Sequence, residues 1–96
     1  MKDKGEVFAR LIHIADRNNI QVKLCQLLAS DGRLKGDRIA LHSAMGIDDI
    51  NYSLAHELAH YYLHFDKGDT ISSEKHSDYE EQADRAAKML LDALAV

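Results

Sequence analysis

Hydrophobic and polar positions change period several times along the chain. In residues 6–17, Val7, Leu11, Ile14 and Ala15 recur at helical spacing with charged residues between them, which predicts an amphipathic first helix. Asn18 and Asn19, turn-prone residues, end it. Residues 20–28 set Ile20, Val22 and Leu24 against Gln21, Lys23 and Cys25, the alternation of a strand. Ser30-Asp31-Gly32 reads as a turn, and 33–35 and 38–42 as two short strands joined by Gly36-Asp37, a tight-hairpin signal. Beyond Gly46, Asp48 or Asp49 can cap a helix running to about Phe65. Ile50, Leu54, Leu58, Tyr61 and Phe65 share one stripe of it, and His56 and His60 fall on the opposite side. Residues 66–77 are polar and read as a loop, after which Ser77 or Asp78 caps a last helix ending near Leu94. The order is helix, short antiparallel sheet, helix, loop, helix, so the expected fold is α+β.

Ninety-six residues suit one domain, expected to span 1–96, and 46% apolar with 29% charged residues suits a packed globular chain. Twelve Lys and Arg against sixteen Asp and Glu leave a net charge of −4, which argues against direct nucleic-acid binding through phosphate contacts. No apolar run approaches the roughly 18 residues of a membrane span. Asp3, Glu6, Arg10 and His13 interrupt the first fifteen residues, so a secretory leader is not expected. The lone Cys25 cannot form an internal disulfide, and a packed or partly exposed thiol in a reducing, cytoplasmic setting is expected. Proline is absent, so no helix is kinked by it.

The six histidines change this picture, because three of them lie between positions 56 and 64. His56-Glu57-Leu58-Ala59-His60 is an H-E-x-x-H pattern on a predicted helix, which this composition produces by chance in roughly 2% of chains. Histidines four apart share a helix face and can converge on one ion, and neutral imidazole suits Zn²⁺. Glu57, one residue along, sits beside the metal, where its carboxylate can take a proton from a water that the metal has acidified. Such a site is suited to attack a polarised carbonyl with an activated water.

His64 extends the series, but i, i+4 and i+8 span about 12 Å, too far for one ion. We expect His64 to line the cleft or to support a ligand. His76 reads as an exposed loop residue, with closure over the cleft as the sharper alternative, and His13 and His42 as structural. Tyr52, Tyr61, Tyr62 and Tyr79 are candidates for an oxyanion hydrogen bond, with Tyr79 preferred and Tyr61 assigned to the core. If the strand over 38–42 is a sheet edge, an extended substrate can pair with it through its main chain.

LAHELAHYYLH at 54–64, followed by YEEQADRAAKMLL at 79–91 and preceded by DGRLKGDRIAL at 31–41, resembles the ImmA/IrrE family of small zinc metallopeptidases. The resemblance covers about residues 31–91. It implies a small zincin-like fold and a gluzincin-like site with a Glu from the last helix as third ligand. It also implies an intracellular peptidase, with a phage or mobile-element transcriptional repressor as the class of substrate. Ala86 stands where the family often has Phe, and the chain ends at Val96, which leaves this reading no further domain for recognising substrate.

Glu80 and Glu81 compete for the third position. On the wheel of residues 78–95, the stripe of Ala83, Ala87, Leu90, Leu91 and Leu94 is centred within about 40° of Glu80. Glu81 falls among Arg85, Lys88 and Asp92 and can pair with Arg85. The expected ligand set is therefore His56, His60 and Glu80, a capping box with Ser77 being the plainer role for Glu80. Asp84, one turn on, is expected to accept the free N–H of a ligating histidine. Three readings stand: a zinc-dependent endopeptidase of an intracellular protein, a zinc-binding regulatory or interaction module with little turnover, and a metal-free scaffold. The intact Glu57 favours the first.

Overall fold

The computed structural model describes residues 3–26, 32–64 and 76–95, and of His64, His76 and Ser77 the backbone alone. Helix α1 (Lys4–Arg17) starts where Asp3 Oδ1 accepts the Glu6 N–H at 2.8 Å, a side-chain cap for an otherwise orphaned donor. Val7, Leu11 and Ala15 are its buried stripe. It stops at Asn18, whose Nδ2 donates to the Ile14 carbonyl at 2.8 Å, and at Asn19, whose φ of 58° lies in the left-handed region that asparagine tolerates. The chain then buries Ile20 and enters the sheet.

The strands are β1 (Gln21–Cys25), β2 (Gly32–Lys35) and β3 (Arg38–His42). Gly36, at φ 60°, supplies the positive φ that the β2–β3 hairpin requires. The strand order is β1-β3-β2, with β2 antiparallel to β3 but β1 parallel to it. The sheet is thus mixed, a correction to the antiparallel sheet expected from the sequence. Ile39 and Leu41 of β3 are its most buried residues, and burying them places β3 in the middle with a strand on each side. Because β3 is paired on both edges, it has none free for a substrate, contrary to the expectation for residues 38–42. Leu24 is about half exposed although it shares a register with the fully buried Leu41. Helix α2 (Ile47–His64) packs on β2 and β3, so this part of β1 lies beyond its cover.

α2 is the central element, touching α1, both hairpin strands and α3 (His76–Leu94). Asn51 Nδ2 donates to the Lys4 carbonyl at 3.0 Å and Lys4 Nζ meets Asp48 at 2.7 Å, which fixes the start of α1 against α2. Leu54 and Leu58 join Val7, Leu11, Ile39 and Leu41 in one core. The most extensive packing is between α2 and α3. Buried alanines on both helices (Ala55, Ala59, Ala83, Ala87) suit their close approach. This is a small α+β, zincin-like arrangement. No helix among the described residues is long and apolar enough to cross a membrane.

Candidate metal centre

The docking of α3 covers the histidine face of α2. His60 is only 7% exposed, so the side opposite the apolar stripe is interior rather than surface. His56 is nearly as buried, whereas Glu80 of α3 keeps part of its carboxylate accessible. Glu80 Oε2 lies 3.0 Å from His56 Nε2 and Oε1 lies 2.8 Å from His60 Nε2. Ligand atoms of the three residues fall within 4.8 Å of one another. Four ligands held tetrahedrally at 2.0–2.1 Å from a zinc ion would stand roughly 3.3 Å apart, a spacing these side chains can reach by drawing in around one. Two imidazoles and one carboxylate also leave a fourth position open, as hydrolytic zinc sites do. The residues fit a metal ion.

The charges are uneven. Burial alone would raise the Glu80 carboxyl, but the imidazoles of His60 and His56 more than offset it and hold Glu80 below the usual carboxylate range. Glu57 behaves in the opposite way. Burial, and secondarily the negative charge of Glu80, push its carboxyl up to about 7, into the range useful to a proton acceptor. Its side chain lies against the start of β2. A Cβ added at Gly32 would stand 3.4 Å from Glu57 Cγ, Ser53 Cβ and Leu41 Cδ2.

The structure therefore gathers His56, His60 and Glu80 and sets Glu57 alongside. Both Glu80 oxygens face histidines. Glu81 is exposed and pairs with Arg85 at 2.5 Å, as the wheel indicates. Asp84 lies 3.1 Å from Lys88 Nζ. His56 Nδ1 is buried with no hydrogen-bond partner among the described residues, so Asp84 does not accept from it here. Asp84 is engaged by Lys88, one turn further along its own helix. His64 closes α2, and its expected cleft-lining role lies outside the described side chains. His76 begins α3 rather than sitting in the preceding loop, and closure over the cleft likewise concerns a side chain that is not described.

Two neighbours escaped the sequence reading. The ring of Tyr52 lies 5.9 Å from that of His56, centroid to centroid, at 33°. The sequence points to its hydroxyl, whereas its i−4 spacing brings its ring beside His56. Gly32, which reads as a turn residue in the sequence, is the other: it opens β2 against Glu57. Ala86 lines an apolar hollow of about 270 Å³ with Ile14, Leu58, Tyr61 and Leu90. This is the place where a larger side chain such as Phe would pack.

No curated protein and no solved structure matches the chain significantly. Residues 15–96 match the model of the IrrE N-terminal-like domain, Peptidase M78, a span that includes the sheet, the histidine helix and the helix carrying Glu80. The chain belongs to the IrrE N-terminal-like domain family of metallopeptidases.

Proposed function

We propose that this protein is a zinc-dependent endopeptidase that hydrolyses peptide bonds of an intracellular protein, with a transcriptional repressor of a phage or mobile element as the expected substrate. The convergence of His56, His60 and Glu80 beside a Glu57 with a raised pKa carries the reading. His56 Nε2, His60 Nε2 and Glu80 would hold Zn²⁺. When bound, the metal makes a water more acidic and polarises the carbonyl to be attacked. Glu57 accepts the proton of the attacking water and passes it to the departing amine, so one carboxylate serves as base and then as acid. Its half-buried position keeps it from being swamped by solvent. An extended substrate finds its main-chain partner along β2, an edge strand of the described sheet whose first residue adjoins Glu57.

The test combines metal analysis with proteolysis. The zinc-loaded chain is incubated with candidate repressors and with a library of unstructured peptides, and cleavage is followed by mass spectrometry. Glu57→Gln keeps size and position but cannot take a proton, so we expect zinc to stay bound while cleavage slows by about 100-fold or more. Zinc bound at wild-type affinity with no cleavage of any substrate would instead favour the regulatory module. Equal cleavage by wild type and Glu57→Gln would remove Glu57 as the base.

A further inference from the structure

We propose that Tyr52 is the positioning residue for His56, its ring fixing the plane of the imidazole that a hydrogen bond to Nδ1 fixes in most metal sites. This rests on the metal-centre reading above. A histidine ligand must present one nitrogen to the ion, yet its ring turns about the Cβ–Cγ bond. Protein sites usually stop that turn by giving the other ring nitrogen an acceptor, which also selects the tautomer. His56 points Nε2 at Glu80, 3.0 Å away, while Nδ1 is buried with no partner among the described residues. Its ring is instead enclosed by two others. His60 stands edge-on at 4.7 Å and 79°, and Tyr52 lies across it at 5.9 Å and 33°. Both separations fall in the range at which aromatic rings attract.

Of the two, His60 cannot serve as a fixed wall, because it must orient its own Nε2 toward the same carboxylate. Tyr52 is free of that task. It sits one turn earlier on the same helix, at the i, i+4 spacing that sets side chains one above the other. The tyrosine ring therefore stands beside the imidazole, where it can oppose a turn of that ring. The aromatic face does this work and the hydroxyl does not, so Phe can replace Tyr52 and an aliphatic residue cannot.

The experiment measures zinc affinity of the full chain by competition with a chromophoric chelator, and the visible spectrum of the Co²⁺-loaded chain, for wild type, Tyr52→Phe and Tyr52→Leu. We expect Tyr52→Phe to bind zinc within about threefold of wild type with the same Co²⁺ bands. Tyr52→Leu should bind about tenfold more weakly, the scale of lost outer-shell support, with altered bands. Nuclear Overhauser contacts between the Tyr52 ring protons and the His56 ring in wild type, with and without zinc, give a check that no variant's folding can obscure. Tyr52→Leu with wild-type affinity and bands would overturn the proposal, as would Tyr52→Phe losing as much as Tyr52→Leu, or the absence of those contacts. Failure of wild type to bind zinc at all would instead remove the metal-centre reading, and this inference with it.

Discussion

At the scale of single residues, Glu57 and Glu80 show how two carboxyls of one site can be driven apart. Glu80 meets two imidazoles and is held below its ordinary value, whereas Glu57 is enclosed near that same negative charge and rises to about 7. The consequence for the metal-free chain has a definite sign. Between about pH 4.5 and 7 the folded protein keeps a proton on Glu57 that the unfolded chain has released, so stability falls as pH rises through that window. Below it both states are protonated and Glu57 contributes nothing. Glu80 acts the other way, adding stability above the usual carboxylate range and losing it as pH falls. Thermal melts in the presence of a chelator should therefore show wild type losing Tm relative to Glu57→Gln between pH 5 and 7.5. The difference should vanish near pH 4. Parallel profiles for the two proteins would show that Glu57 is not held protonated by the fold.

At the scale of elements, helix phase was readable from the sequence and strand pairing was not. The wheel of α3 placed Glu80 on the buried side and Glu81 with Arg85, because Ala83 and Ala87 mark the stripe without ambiguity, and both are fully buried. The histidine pair was readable because its spacing matches the helical repeat. Alternation in residues 20–25 identified β1 but carries no information on its neighbour. A strand reads the same whether it pairs parallel or antiparallel, so the central place of β3 emerged only in the fold. The burial of His60 follows from the second helix, since α3 packs over the face of α2 opposite its apolar stripe. The phase of α3 gives a direct test of the ligand set. Glu80→Ala should weaken zinc binding by about 100-fold or more, since it removes one of three protein ligands. Glu81→Ala, which breaks only an exposed ion pair, should change it by less than about threefold. Competition titrations of both variants decide the matter, and the opposite ranking would mean that α3 is rotated from the phase described here.

At the scale of the whole molecule, the three ligands come from two helices, so a bound ion is a cross-link as well as a reagent. Two come from α2, which the sheet and α1 hold in place, and the third from α3, which packs mainly on α2. A chain of 96 residues has a modest core, and a group that binds only the folded state adds its binding energy to stability. At a free zinc concentration about 1,000 times the dissociation constant, the gain is about 4 kcal/mol. For a domain of about this size each kcal/mol moves Tm by about 4–8 °C, so saturating zinc should raise Tm by roughly 15–30 °C, and a chelator should reverse it. Mg²⁺, which prefers oxygen ligands, should produce no comparable rise at the same concentration. His60→Ala and Glu80→Ala both cut the link, one on each helix, and each should lose most of the zinc-induced shift, measured from the melting temperature of its own metal-free form. An undiminished shift in Glu80→Ala would place the ion on α2 alone. In that case the packing of α3 would owe nothing to the metal, and the helix carrying Glu80 would serve only to cover the site.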